Sequence, residues 1–439
     1  MDYPRVLILG ETFRLNGGGG ITMINLFKDW PSDNLAVATE RLYETSPNAN
    51  CDRYYQLGNL EIKIPFPLCL FIRIAESGNR QITSNPFRNA EFNNVHKRGI
   101  KSFLRLILNK FLVYSGLYHF TYRIVPSAQL LEWIRDFSPD IIYAQPFRFF
   151  DMRFILELHK KSLIPLAIHV MDDSISFLNK PNLLYLYWRK KTTTIFKQLV
   201  DNSQVHLSIS KFMSDEYFRR YDKVFLPMRN PIEISQWLPF TKRNWEISGI
   251  TKIVYTGRLA IPNIRSLLKF CEVVDELNRS GMIIRFDIFS IDDNIDFRKK
   301  IINFKGSYIN KPVPYTEIPT LLPKYDIVLL PIDFNKTGIK YAKYSISTKT
   351  SEYMISGVPI LLFAPKEVAL TSYAIENNCM LSVTEDKYEK LTDALIRLIN
   401  DKSLRESLAK KAFDVVRKDS DANNVRQEFK FLLSSVINI

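Results

Sequence analysis

Cysteine is scarce in this chain. Four occur in 439 residues, at Cys51, Cys69, Cys271 and Cys379, and no two form a Cys-x-x-Cys pair. That spacing argues against a cysteine zinc site or a disulfide scaffold and fits a reducing compartment. Histidine is also rare, with five in all. No uninterrupted apolar run reaches the roughly 18 residues that a transmembrane helix needs. The chain starts at Met1-Asp2 and enters a strand-like run at once, which is not the pattern of a signal peptide. A Gly-x-Gly-x-x-Gly dinucleotide turn is missing as well: in Gly17-Gly18-Gly19-Gly20, Thr22 stands where the third glycine would be. The glycines also follow the first strand too late for that tight turn, which weighs against a dehydrogenase. Between residues 92 and 131 there is no Asp or Glu.

What is present is a globular composition, 46% hydrophobic and 24% charged. At this length one core is not expected, and two domains of about 200 residues each are the natural division. Sixty Lys and Arg against 46 Asp and Glu give a net charge of +14. That balance suits a phosphate-bearing ligand, an anionic membrane surface or nucleic acid without choosing among them.

Short apolar runs recur along the chain and read as buried parallel strands: Arg5 to Gly10, Pro139 to Ala144, Pro165 to Val170, Val205 to Ser210, Lys252 to Thr256, Ile283 to Phe289, Tyr325 to Pro331 and Ile360 to Phe363. Helical pattern lies between several of them, for example from Ile21 to Lys28 and over 387–413, so the expected class is α/β. Residues 233–250, mixed and polar with Pro239, read as a linker. No internal repeat or low-complexity tract is visible.

The acid-free stretch carries Lys97, Arg98, Lys101, Arg105, Lys110 and Arg123 with six aromatic residues among them. From Ile100 its apolar positions follow helical spacing, with Lys97, Lys101 and Arg105 as a stripe on the other side. Such a helix either lies on anionic lipid through 96–123 or packs on a core with a solvated basic face. No nucleic-acid-binding motif accompanies it, so nucleic acid is not expected as a partner.

The densest chemistry lies in Ser347-Thr348-Lys349-Thr350-Ser351-Glu352, which opens a short helix ended by Gly357-Val358-Pro359. Ser347 or Thr348 can cap it, Gly357 can end it and Pro359 forbids its continuation. Lys349 and Glu352, three apart, share one face. A lysine beside free backbone N–H groups favours phosphate, and a carboxylate one turn on can accept hydrogen bonds from vicinal hydroxyls. Spacing alone leaves a plain surface pair equally open.

The pattern Lys349-x-x-Glu352-Tyr353-Met354-x-x-Gly357-Val358-Pro359 resembles the signature of the GT-B glycosyltransferases of family 4. The resemblance implies two Rossmann-like domains facing a cleft, with a C-terminal helix returning to the first domain. The implied boundaries are 1–235 for an acceptor-binding domain, 236–413 for a nucleotide-sugar-binding domain and 414–439 for the returning segment. It implies a retaining, metal-independent transferase with no bound cofactor, moving a sugar from a UDP- or GDP-linked donor. The acceptor would be a glycan or lipid-linked oligosaccharide, as in bacterial surface polysaccharide synthesis. The expected setting is cytoplasmic, with peripheral attachment to the inner face of the plasma membrane where 96–123 touches lipid.

Residue by residue, the resemblance assigns His169, Arg258 and Lys349 to catalysis. It assigns Gly18, Gly19, Gly257, Arg258, Val313, Ser347, Thr348, Lys349, Thr350 and Glu352 to the donor, and Asp172 and Asp173 to the acceptor. Arginine suits a diphosphate because its planar fork stays charged and holds two oxygens. Two positions depart from the family: Tyr344 stands where a second glutamate is usual, and Asn263 where a lysine is usual. Three other readings compete. A GT-B-fold sugar-nucleotide epimerase would draw on more histidines and carboxylates. A metal-dependent transferase would rest on Asp419-Ser420-Asp421, which also reads as a solvated turn. A non-catalytic membrane-surface binding protein would leave Lys349 and Glu352 unexplained.

Overall fold

The apolar runs form two parallel sheets, because a strand buried on both faces must be apolar throughout and needs a crossover to its neighbour. The structure, a computed structural model, describes all residues except 1, 16–17, 47–48, 67, 71, 73, 83–107, 109, 174, 176–181, 260, 293 and 438–439. The chain divides into two compact units, residues 1–228 with 426–439 and residues 229–425.

In the first unit the strands of the large sheet are β1 (Val6–Leu9), β2 (Leu35–Thr39), β3 (Arg53–Gln56), β4 (Gly78–Arg80), β5 (Ile141–Ala144), β6 (Leu166–Val170), β7 (Val205–Ser208) and β8 (Leu226–Pro227). Their order across the sheet is β8-β7-β6-β5-β1-β2-β3-β4. All neighbours are parallel except β3 and β4. The register sets Val6 beside Leu35 on one side and beside Ile141 on the other. Helix α1 (Gly18–Leu26) follows β1, and α2 (Tyr185–Asn202) precedes β7. Sequence reasoning missed β2, β3 and β4. Arg53-Tyr54-Tyr55-Gln56 and Gly78-Asn79-Arg80 lie toward the sheet edge, where polar residues replace a continuous apolar run.

In the second unit β9 (Thr251–Thr256), β10 (Ile284–Phe289), β11 (Ser307–Asn310), β12 (Ile327–Pro331), β13 (Ile360–Phe363) and β14 (Leu381–Val383) form an all-parallel sheet, ordered β11-β10-β9-β12-β13-β14. Its core joins Ile253, Phe286, Ile288, Leu329 and Phe363 to Leu267, Phe270, Cys271 and Val274 of helix α3 (Ile264–Arg279). The three-and-four spacing of those helical residues turns one stripe inward. Each such side chain contributes about 1.5–3 kcal/mol of burial. The Cys271 thiol is pushed up to about 12 by burial, so it serves as a small apolar residue.

Residues 233–250 are not a free linker. They belong to the second unit, where Lys242 N donates to Ser356 O at 2.8 Å and the buried Trp245 donates its indole N–H to Gly357 O at 2.8 Å. The burial of Trp237 and Trp245 outweighs the polar character of the segment around them. The division falls at 228/229 and 425/426 rather than at 235/236 and 413/414. Helix α4 (Lys349–Ile355) lies in the second unit. Phe429, in helix α5 (Ala422–Ser434), is buried in the first unit against Phe27, Trp30 and Tyr143, at ring distances of 5.0, 5.7 and 5.6 Å. Among the described residues, no helix is long and apolar enough to cross a membrane.

Candidate functional site

Chain order reverses between β9 and β12, and ligands of open α/β sheets bind beyond the carboxyl ends of the strands at such a switch point. Gly257 and Arg258 follow β9 there. Helix α4 is pinned to the same strand end by Tyr353, whose hydroxyl accepts the Thr256 N–H at 2.8 Å and donates to Thr256 O at 3.2 Å. The resulting approach is so close that the Lys349 ammonium fills the space a Cβ on Gly257 would need. The ammonium also lies over the Tyr255 ring, 5.3 Å from its centroid.

Glu352 is buried one turn along the same helix. Burial pushes its carboxyl up to about 7, against the opposing effects of a hydrogen bond from Tyr315 and the charge of Lys349. Desolvation pushes the Lys349 ammonium down to about 8. Glu352 and Asp292 oppose that shift, and Arg258 adds to it. Lysine and carboxylate are therefore balanced near neutrality, as functional groups often are.

Arg258 extends outward with its side chain 62% exposed and is held by Asp292, Nη2 at 3.1 Å and Nε at 3.3 Å. The same carboxylate accepts the Leu259 N–H at 2.8 Å, so it orders the loop as well as the guanidinium. Asn263 donates to the Tyr255 hydroxyl at 2.8 Å and to Arg258 O at 3.1 Å. Where a cation would stand in family 4, this chain thus has a brace for the Arg258 backbone.

The start of α4 differs from expectation in one respect. Neither Ser347 nor Thr348 caps the helix through its side chain. Thr348 already has helical backbone angles, and the Thr350 N–H bonds to Ser347 O at 2.9 Å as the turn closes. Ser347 is exposed, Thr348 is half-buried, and Thr350 is buried with a hydroxyl that makes no hydrogen bond among the described residues. Val313 is half-buried in the loop before Tyr315. Tyr344 is half-buried, with the Lys343 ammonium 5.1 Å from its ring.

In the first unit the reversal lies between β1 and β5. Gly10, at φ +81°, has no room for a Cβ against Gln145 O, so the chain turns off β1 directly beside the end of β5. Gly18 and Gly19 are not loop residues: α1 begins at Gly18. Gly19 allows Glu11 and Gln145 side chains to come within 2.9 and 3.2 Å of its Cβ position. Gln145 donates to the Tyr143 hydroxyl at 3.1 Å, and the same hydroxyl shares a hydrogen bond with His169 Nδ1 at 2.7 Å. His169 is wholly buried at the end of β6, and burial lowers it to about 4, with the Met228 backbone opposing. At neutral pH it is an uncharged ring, with Tyr143 at Nδ1 and the Met228 backbone as its other polar neighbour.

The two acidic residues after His169 part company. Asp172 is exposed, whereas Asp173 is buried and committed to Arg220 at 3.1 Å and the Tyr217 hydroxyl at 3.0 Å. The assignment of Asp173 to the acceptor thus falls on a carboxylate already engaged inside the unit. Asp419 and Asp421 are also engaged, the first by Arg229 at 2.8 Å and the second by the Asn423 N–H at 2.9 Å. The stripe Lys97, Lys101 and Arg105 lies outside the described residues. Phe111, which helical spacing places on the inward face of that stretch, is exposed.

No protein-family model and no curated protein sequence matches the chain. Solved structures do. HepE from Anabaena, in complex with UDP and glucose, matches over 99% of this chain and 100% of its own, with a TM-score of 0.63 at 12% identity. Sucrose-phosphate synthase from Thermosynechococcus elongatus matches over 99% of both chains, with a TM-score of 0.63 at 11% identity. The trehalose-6-phosphate synthase OtsA matches over 98% of both, with a TM-score of 0.59 at 11% identity. The fold is GT-B. Within this GT-B chain, sequence reasoning missed Asp292 and Tyr315. The one available signal was their position just beyond the strands β10 and β11, where such folds place ligand contacts.

Proposed function

We propose that this GT-B protein is a retaining, metal-independent glycosyltransferase that moves a sugar from a UDP- or GDP-linked donor to a glycan or lipid-linked acceptor, in bacterial surface polysaccharide synthesis. The observation that carries the reading is the convergence of Arg258, Lys349 and Glu352 at the carboxyl end of β9. Two cations and a buried carboxylate are the groups that a sugar diphosphate and a ribose call for. Breaking the bond to the anomeric carbon leaves negative charge on the diphosphate. Arg258 and Lys349 would stabilise that charge without reorganising. Glu352, once ionised, would accept hydrogen bonds from the ribose hydroxyls, with Tyr315 exchanged for the ligand.

The nucleotide-sugar is assigned to the second unit and the acceptor to the first. His169 enters as a neutral ring, suited to a sugar hydroxyl rather than to phosphate. Retention of configuration rests on the likeness of Lys349-x-x-Glu352 to the family 4 signature. The UDP-glucose complex of HepE makes that donor the first to try.

Thermal stabilisation with UDP, GDP, UDP-glucose and other nucleotide-sugars is the test. A ligand at 100 times its Kd adds about 2.7 kcal/mol of stability. A nucleotide-sugar should stabilise the wild type, while Glu352→Ala and Arg258→Ala should lose the effect. Unchanged binding in both variants would remove the main support for the reading, and NMR of the product would show the anomer formed.

A further inference from the structure

A surface of the first unit, apart from Lys349 and Glu352, joins two segments distant in sequence. Residues 110–120 lie along the start of α2: Trp188 donates its indole N–H to Gly116 O at 2.6 Å, and the Leu183 N–H reaches Tyr114 O at 3.3 Å. Gly116, at φ +79°, has Asn182 Oδ1 and Leu184 Cβ within 2.5 and 2.9 Å of where its own Cβ would lie, so the two segments meet backbone to side chain. The Phe120 ring packs 4.6 Å from Trp188 and 6.1 Å from Tyr187. This contact buries Trp188 and turns the other large side chains outward. Leu183 and Leu186 are each 75% exposed, and Phe111, Tyr114, Phe120 and Tyr187 are exposed beside them.

Isolated exposed apolar residues need no explanation, but a cluster built from two stitched segments does. The charge beside it identifies an occupant. Along the outer face of α2, a groove that starts at Leu186 continues through Arg189, Lys190, Thr193, Thr194 and Lys197, and Asp201 is the single acid in its lining. Lys191 adds a further exposed cation, and Lys110 stands next to Phe111. Apolar and aromatic side chains bordered by lysine and arginine match the boundary between acyl chains and anionic headgroups.

We propose that this surface, residues 110–120 with Leu183 and the first three turns of α2, docks the protein on an anionic lipid bilayer. Leu183, Leu186 and Tyr187 enter the interface, while Arg189, Lys190 and Lys191 meet the headgroups. The site does not depend on the transferase reading, since a membrane surface is recognised here without any nucleotide.

The test is sedimentation of the full chain with vesicles of phosphatidylcholine alone or with 30% phosphatidylglycerol, at low and high salt. The wild type should pellet with the anionic vesicles, and more weakly as salt screens the cations. Arg189→Glu/Lys190→Glu/Lys191→Glu should weaken binding at least about tenfold, since each cation near such a surface matters substantially. Leu183→Ser/Leu186→Ser should weaken it at unchanged charge. Unaltered far-UV circular dichroism and melting show that the variants are folded. Absence of wild-type binding to anionic vesicles, equal binding by folded variants, or self-association that the same substitutions abolish while vesicles stay unbound would each overturn the proposal.

Discussion

The ammonium of Lys349 occupies the space that a Cβ on Gly257 would fill. Helix α4 and strand β9 can approach this closely only because residue 257 has no side chain. Gly257→Ala should therefore displace Lys349 from the strand end. The expected result is a loss of at least about tenfold in UDP affinity by calorimetry, with a stability cost of about 1–3 kcal/mol from overpacking. Unchanged affinity would mean that the position of Lys349 does not matter for the nucleotide.

The balanced pair gives a pH signature. Glu352 is raised from 4.5 to about 7, so its contribution to folding stability is full below the unfolded value and is lost as pH rises through about 7. Relative to wild type, Glu352→Gln should gain stability between pH 5 and 7 and then level off. Lys349 is lowered from 10.5 to about 8, so its contribution is full above 10.5 and is lost as pH falls through about 8. Lys349→Met should gain in that opposite direction. Urea denaturation across this pH range measures both.

Asp292 competes with any anion for Arg258. Asp292→Asn keeps an acceptor for the Leu259 N–H while removing the charge. UDP should bind this variant several-fold more tightly at low ionic strength, and the difference should shrink at 0.5 M salt. Weaker binding at both salt concentrations would show that Asp292 serves mainly to orient the guanidinium.

Tyr143→Phe removes the hydrogen bond that holds His169 Nδ1. Leaving a buried ring nitrogen without its partner should cost about 1–3 kcal/mol in the unfolding free energy of the first unit. It also frees the imidazole tautomer, which NMR of labelled histidine would report.

The buried strands were legible because a parallel strand covered on both faces has to be apolar along its length, as Val6 to Leu9 and Ile360 to Phe363 are. Arg53 to Gln56, one strand in from the sheet edge, escaped that rule because polar residues flank its two tyrosines. Lys349 and Glu352 were legible as a pair on one helical face, but the glycine beneath the lysine and the aspartate on Arg258 were not. Those contacts join Gly257 to Lys349 and Arg258 to Asp292 across large sequence separations, and no local pattern encodes a distance between strand ends. The partners of Asp173 were equally hidden from the sequence. Beside a histidine at a strand end it looks available, and only the fold reveals that Arg220 has claimed it.

The placement of Phe429 among Phe27, Trp30 and Tyr143 has a consequence for synthesis. Domains generally fold as units while the chain emerges, the first one first. Here residues 1–228 leave the ribosome with an aromatic socket open, and roughly two hundred residues of another unit must follow before its plug exists. The nascent first unit should accordingly stay more protease-sensitive until residue 429 has left the ribosome, so a stalled chain that still holds that residue in the exit tunnel should be looser than the released one.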